Sequence, residues 1–472
     1  MKKAQHHVVI GDGLTAAEFI ATAHLTGADE LTIIGSNPYQ LGRGLAYKDY
    51  PPGTPWRYLY LLNSPCESID EQFTKWLSSH WGYWHPILSK ENPAWVKFGS
   101  PHISAGDFGA LFAPRTIYGK YLSDLAECSI TRLTENGVTV HRRRNLAKNI
   151  TEANGQLRIT LNTGEIIQAD TVDVAPGAPR TQQHSLEPND HLIPLHGQEQ
   201  RISAYLEPLK PICCIGANAT MLDLVQFLLT QMSQRDIRMK VISRTGDLPH
   251  PLILRRPRRT AIRPHISGQY NTADDLLRHI DTQVRQYQQA GATMAELRPG
   301  YYAWAQQTEI ARLLPCATEQ QAFIDQLDQQ FRRGTHDSLA TFTRLRENGQ
   351  IDILTGEIQR LNVCDKQIHI TINNNGVYQH VVTDIAINAS GSGPCPCFDP
   401  LTETMIRNDH LSYDKSAKGI NVGAYLQTNI PGVRYLSPAV TRIGAKRLLF
   451  PLYDAPALRE YIRNANSISN NT

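Results

Sequence analysis

No apolar run in this chain approaches the roughly 18 residues that crossing a bilayer requires, so no membrane-spanning element is expected. Met1-Lys2-Lys3-Ala4-Gln5 leads to a strand by His7 and leaves no room for the apolar core of a signal or transit peptide, which points to the cytoplasm. Excess charge of one sign is also missing. The 47 basic and 44 acidic residues leave a net +3, which excludes long-range attraction to nucleic acid or an anionic membrane and makes any basic site a local one. Cys66, Cys128, Cys213, Cys214, Cys316, Cys364, Cys395 and Cys397 lack the paired spacings and matching histidines of a metal site, so no metal is expected and reduced thiols are the default. There is no low-complexity tract. What is present is a composition with 41% apolar and 19% charged residues, able to bury a sizeable core, in a chain whose length suggests about three domains.

Two stretches stand out against this background. His7-Val8-Val9-Ile10 runs into Gly11-Asp12-Gly13-Leu14-Thr15-Ala16, and Ile212-Cys213-Cys214-Ile215 runs into Gly216-Ala217-Asn218-Ala219-Thr220. In each, an apolar strand meets a tight turn where glycine lets backbone N–H groups approach a pyrophosphate, and the helix that follows presents its positive end to the anion. Two such cradles suggest two bound dinucleotides and electron transfer between them. Both depart from the usual pattern. Ala16 replaces the third glycine, a position that needs only a small side chain. A carboxylate at Asp12 would repel a pyrophosphate unless it points away to solvent. The acid expected at the end of the second strand is absent, and Gly35-Ser36-Asn37 stands there, leaving the Ser36 hydroxyl to bond a ribose. In the second cradle Asn218 replaces a glycine, and asparagine tolerates positive φ better than other residues. Arg244, just after Ser243, can pair with the adenosine phosphate of NADPH, where NADH would call for an acid.

The remaining pattern places these turns in βαβ units. A helix over about Thr15 to Leu25 and a parallel strand Leu31–Ile34 follow the first turn; a helix over about Met221 to Met232 and a strand Lys240–Ser243 follow the second. Residues 37–99, rich in Pro, Trp and Tyr, read as an irregular excursion of the kind that lines ligand sites, with Trp76, Trp81, Tyr83 and Trp84 as pocket wall or as ordinary core. Ala113–Glu127 reads as helical, Val138–Val140 and Leu157–Leu161 as strands about an Asn154-Gly155 hairpin turn, and 274–333 as mostly helical. Strands return at Ile351–Leu354, Ile368–Ile372 and Val381–Asn388.

Gly42-Arg43-Gly44-Leu45-Ala46-Tyr47, Leu61-Leu62-Asn63 and the run Phe112 to Leu122 together resemble the FAD/NAD(P)-binding family of bacterial flavoproteins related to flavin-dependent monooxygenases. Ser243 to His250, Ile387 to Pro394 and Ala455-Pro456-Ala457-Leu458-Arg459 extend the resemblance nearly to the C-terminus, with Ser437-Pro438 where a glycine-proline pair is usual. The resemblance implies an α/β fold of two Rossmann-like dinucleotide-binding domains, the second inserted in the first, with a helical excursion. FAD binding is expected from residues 1–205 and 381–472, and NAD(P)H binding from 206–380, with the helical insertion at about 270–335. Gly11, Gly13, Leu14, Thr15 and Ala16 would cradle the FAD pyrophosphate, and Gly42, Arg43, Gly44 and Asn63 would lie by the flavin or its phosphates. Gly391 and Gly393 would approach the isoalloxazine, while Gly216, Asn218, Ala219, Ser243 and Arg244 would hold NADPH.

The implied activity is an FAD-dependent oxidoreductase that takes hydride from NADPH and activates dioxygen toward a small amine, amino acid or similar metabolite. A flavin reductase or dehydrogenase without oxygen chemistry, and a non-catalytic nucleotide-binding redox sensor or scaffold, remain open. No side chain is assigned as acid or base. His250 and His265 are candidate proton relays or structural groups. The cluster Arg255, Arg256, Arg258, Arg259 and Arg263 reads equally as an anion clamp or a solvated loop. Cys395-Pro396-Cys397 is poorly spaced for a relaxed disulfide and reads as inert thiols. The expected partner is a small-molecule substrate, with neither nucleic acid nor membrane, and no pattern specifies the oligomeric state.

Overall fold

A computed structural model describes residues 4–179, 191–257, 261–391, 397–415, 418–453 and 455–469. The chain opens with β1 (His6–Ile10), α1 (Leu14–Ala21) and β2 (Glu30–Gly35), with β1 and β2 parallel and in register from His6 opposite Glu30. The apolar strands Val8-Val9-Ile10 and Leu31-Thr32-Ile33-Ile34 are buried on both faces, as a parallel sheet requires. The helix stops at Ala21, earlier than its apolar periodicity suggested, where the Thr22 hydroxyl donates to the Glu18 carbonyl.

Much of the 37–99 stretch, expected to be irregular, is helical, in a run that extends to 104: α2 (Cys66–Ile69), α3 (Glu71–Ser79), α4 (Trp81–Glu91) and α5 (Pro93–Ser104). Asp70 caps α3 through the Gln72 N–H and Asn92 caps α5 through the Trp95 N–H. Prolines at 86 and 101 lie inside α4 and α5 and hide the helical pattern in the sequence. Trp76, Trp81 and Trp84 pack in this block, with Trp76 within 5.6–6.4 Å of the Phe73, Tyr121 and Trp84 rings, so core packing is their role; Tyr83 is exposed.

Helix α6 (Arg115–Glu135) leads to β3 (Thr139–Arg144), which joins β2 in parallel. The expected hairpin about Asn154-Gly155 forms between β4 (Ala147–Ala153) and β5 (Gln156–Leu161), not between 138–140 and 157–161. Asn154 and Gly155 take φ of 57° and 76°, the two positive values of a hairpin turn. Then come β6 (Ile166–Ala169), antiparallel to β5, and β7 (Thr171–Val174), parallel to β1.

The second unit begins with β8 (Leu192–Ile193), α7 (Glu199–Ser203), β9 (Ile212–Ile215), α8 (Ala219–Gln231) and β10 (Met239–Ser243). After the bridge of β11 (His250–Pro251) with β12 (Arg333–Gly334) and four helices between them, α9 (Ala273–Gln289), α10 (Met294–Gln307), α11 (Ile310–Leu313) and α12 (Ala317–Gln330), the chain runs through α13 (His336–Glu347) to β13 (Ile351–Thr355). An antiparallel ribbon of β14 (Glu357–Cys364), β15 (Gln367–Asn374) and β16 (Val377–Thr383) precedes β17 (Ala386–Asn388). The run Val381–Asn388, expected as one strand, is therefore divided at Asp384-Ile385, because its halves pair in different sheets. The order β13-β10-β9-β17-β8 makes a second parallel sheet whose strands reach from 192 to 388, beyond the 206–380 span on both sides. Cys213 and Cys214 alternate across β9: Cys214 faces α8, and Cys213 faces the ribbon.

The C-terminal part contains α14 (Pro400–Arg407), β18 (Ser412–Asp414), β19 (Gly419–Val422), β20 (Val433–Tyr435), β21 (Val440–Ile443), β22 (Lys446–Arg447) and α15 (Ala455–Ser469). Strand β20 returns to complete the first sheet, β20-β7-β1-β2-β3. The helical excursion α9–α12 shares its core with this first unit rather than with the sheet it interrupts. Tyr302 stacks on Phe450 with ring centres 4.8 Å apart, and its hydroxyl donates to the Pro451 carbonyl. No helix among the described residues is long and apolar enough to cross a membrane.

Candidate functional site

Both cradles form at strand-to-helix turns. Gly11 has φ +127°, and a Cβ there would lie 2.2 Å from the Ala175 carbonyl oxygen, so only glycine lets the turn pass β7. Gly13 occupies the cap position of α1 and puts no side chain over the first-turn N–H groups of Leu14, Thr15 and Ala16. That bare helix terminus fits an anion. The fold also brings up a second glycine-rich piece. The Gly42 N–H donates to the Asp12 carbonyl at 2.9 Å, and a Cβ on Gly44 would lie 3.1 Å from the Gly13 Cα. Residues 42–44 therefore lie on residues 11–13.

Arg43 beside them is buried, and its guanidinium donates to the Thr116 carbonyl at 3.3 Å with no carboxylate bonded to it among the described residues. Burial pulls its pKa down from the ordinary arginine value, against the more distant pull of Asp49 and Asp124. A buried cation with spare donors fits a phosphate nearby.

Asp12 points neither at the pyrophosphate turn nor free into solvent. Its Oδ2 accepts from the Asn37 N–H at 2.5 Å and from the Ser36 hydroxyl at 3.0 Å, at the end of β2. Ser36, expected to bond a ribose, is thus committed to Asp12.

The second cradle differs. Gly216 has φ +112°, and a Cβ there would meet the Ala389 carbonyl at 2.3 Å. Asn218 is extended, with φ −130°, so the positive φ expected of it is not used. It caps α8 instead: its Oδ1 accepts from the Thr220 N–H at 2.9 Å and its Nδ2 donates to the Ala389 carbonyl, next to Ala219 at the helix start. The Ser243 hydroxyl accepts from the Gly246 N–H at 3.2 Å, while the Arg244 side chain is exposed with no hydrogen bond or ion pair among the described residues. Gly391 follows β17, which pairs with β9, so it lies by this second turn and not on the first sheet. Gly393, Cys395, Arg258 and Arg259 lie outside the described residues. Arg256 is bound to Asp107 at 2.8 Å and Arg255 donates to the Gly291 carbonyl, which removes Arg256 from any clamp.

Asn63 belongs to a polar hub between the units. Arg115, at the start of α6, donates to the Asn63 Oδ1 at 3.2 Å and the Leu61 carbonyl at 2.9 Å, and pairs with Asp223 of α8 at 3.0 Å. His196 Nε2 lies 3.0 Å from the same Asp223 oxygen. Tyr60 meets the His196 ring edge-on at 4.8 Å, the Tyr50 hydroxyl donates to Glu199, and Trp56 meets Phe227 of α8 at 5.6 Å. The Pro, Trp and Tyr-rich stretch thus seats the second unit on the first. Asp223 and His196 went unnoticed in the sequence; the available signal was a single acid inside the apolar run Met221 to Leu229.

Two parallel sheets, each with a glycine turn opening a helix, and a loop folded over the first turn define the class: an α/β architecture of two Rossmann-like units. Residues 8–179 match the family described as FAD-NAD(P)-binding. The whole chain has the fold of flavin-dependent amine and amino-acid monooxygenases. It is similar to an ornithine N-hydroxylase from Kutzneria sp. 744, solved with reduced FAD, NADP+ and L-ornithine, at 11% identity and TM-score 0.53 over 99% of this chain and 98% of that one. It is similar to the FAD-bound cadaverine monooxygenase of Erwinia amylovora at 10% identity and TM-score 0.56, over 99% and 94% of the two chains. It is also similar to the ornithine hydroxylase of Pseudomonas aeruginosa at 13% identity and TM-score 0.53, over 99% of each. No curated protein matches the chain in sequence.

Proposed function

We propose that the protein is an FAD-dependent monooxygenase that takes its electrons from NADPH and acts on a small amine or amino acid. The observation that carries this is the stacking of residues 42–44 on the first turn, beside buried Arg43, in a chain whose full length follows the fold of enzymes solved with FAD and NADP+. FAD, when bound, supplies the electron transfer and oxygen chemistry. Gly11, Gly13 and the first-turn amides of α1 hold its pyrophosphate, and Arg43 neutralises charge next to it. On the second unit, exposed Arg244 receives the adenosine 2′-phosphate, which selects NADPH over NADH. The hub of Arg115, Asp223, His196 and Asn63 orients the second unit so that the nicotinamide reaches the flavin. Among the described residues seven cysteines are free, two of them (Cys66 and Cys213) with thiols pushed up to about 12 by burial, which supports a reducing compartment such as the cytoplasm.

The purified protein should be yellow, bleach anaerobically with NADPH, and take up oxygen only when a candidate such as ornithine, lysine or cadaverine is added. Uptake that ignores every amine offered, with NADPH still oxidised, would favour a plain reductase; a colourless protein that refuses FAD would favour a scaffold. Arg244→Glu should raise the KM for NADPH about tenfold or more and leave that for NADH nearly unchanged, as expected for loss of one charge-assisted phosphate contact.

A further inference from the structure

At the end of β2 a dinucleotide-binding fold usually carries an acid that accepts hydrogen bonds from the adenosine ribose. Here the residue is Gly35, yet the space is not empty of charge. A Cβ on Gly35 would lie 2.7 Å from Asp12 Oδ2, 2.8 Å from its Cβ and 2.9 Å from its Cγ. The carboxylate of Asp12 therefore occupies the volume that a side chain at position 35 would fill, and this explains the glycine. The Asn37 N–H and the Ser36 hydroxyl both hold Oδ2. Oδ1 has no partner among the described residues, and Asp12 is only half buried, so that oxygen is open to a ligand. The Gly11 N–H bonded to the Ile34 carbonyl at 2.7 Å and the Gly42 N–H bonded to the Asp12 carbonyl fix the backbone on both sides.

We infer that Asp12 is the ribose ligand of the first cradle, supplying from the first turn the carboxylate that the second strand lacks, and that it makes this cradle reject a 2′-phosphorylated adenosine. The inference rests on the reading that FAD occupies the first cradle. A carboxylate is a strong acceptor for a ribose hydroxyl and repels a phosphate placed at the same point. In the second unit Ser243 stands where Gly35 does, since the Gly11 and Gly216 N–H groups bond to Ile34 and Ile242, and Arg244 follows it in the place of Ser36. The two cradles then carry opposite charge just beyond their second strands, Asp12 in the first and Arg244 in the second, which keeps FAD and NADPH from exchanging sites.

The test is flavin-fluorescence titration of the apoprotein with FAD and with its 2′-deoxyadenosine and 3′-deoxyadenosine analogues. Wild type should bind at least one deoxy analogue about tenfold or more weakly than FAD, the size expected for a hydrogen bond to a charged group. Asp12→Ala should bind FAD about tenfold more weakly and no longer distinguish it from that analogue, a change that a purely structural role for Asp12 would not produce. Asp12→Asn, which preserves the contacts to Ser36 and Asn37 better, should narrow the discrimination if the alanine variant melts. Equal binding of FAD and both analogues by wild type, or undiminished discrimination by a folded Asp12→Ala, overturns the inference. Wild type that binds none of the three flavins instead overturns the FAD reading itself.

Discussion

Asp173 is the residue whose surroundings say most about how the first sheet is held. It is 1% exposed, takes two hydrogen bonds from Arg434 at 2.6 and 2.7 Å, and lies 3.0 Å from His7 Nε2, tying β1, β7 and β20 together. Burial alone would raise its pKa, but Arg434 and His7 outweigh burial and hold the carboxyl at about 2. An unfolded aspartate titrates at about 3.9, so the ionised pair contributes stability in full above about pH 4, and that contribution is lost as pH falls toward about 2. Asp173→Asn should cost about 3 kcal/mol or more at neutral pH by stranding Arg434, and should flatten the acid side of the stability curve in that window. Circular-dichroism melts of both proteins between pH 2 and pH 7 check this, and parallel pH profiles would contradict it. None of this was legible in the sequence, where Asp173 sits inside an apolar run like any strand residue.

At the scale of elements, periodicity marked β1, α1, β2, β9, α8, β10 and α9–α12, because each is apolar on the face or faces it buries. It missed α3 to α5, where the prolines of α4 and α5 and the capping polar residues break the repeat, and it caught only the start of β3, an edge strand whose continuation His141-Arg142-Arg143-Arg144 is polar. The C-terminal helix α15 shows what local pattern cannot carry. Arg459 binds Glu18 of α1 at 2.8–3.1 Å and lies 3.6 Å from Asp70 at the cap of α3. Three segments far apart in sequence thus meet on one guanidinium. Arg459→Met should leave two buried carboxylates without their cation and cost on the order of 3 kcal/mol. Earlier proteolytic release of α15 and a lower melting temperature are the expected readouts; an unchanged cleavage pattern would count against the clamp.

At the scale of the whole molecule, the hub around Arg115 and Asp223 sets how the second unit rests on the first. Asp223→Asn keeps the shape but weakens the bonds to Arg115 and His196. Hydride transfer is sensitive to small displacements, with about 1 Å of misplacement costing up to about a hundredfold. Anaerobic stopped-flow should therefore show flavin reduction by NADPH slowed about tenfold or more, with FAD affinity unchanged because no part of the first cradle is touched. Weaker FAD binding together with normal reduction would place the hub elsewhere in the mechanism.

By itself the sequence determined that the chain has two glycine-bearing strand-to-helix turns, the strands and helices that frame them, and a basic residue just after the second strand of the second unit. Those are local properties, written in glycine positions and apolar spacing. Only the tertiary structure decided that Asp12 turns to the end of β2, that Gly44 lies on Gly13, that Gly391 belongs beside the second turn, and that Trp56 and Tyr60 join the units. These depend on contacts between residues tens to hundreds of positions apart, where a side chain's role is set by what the fold brings next to it rather than by its neighbours along the chain.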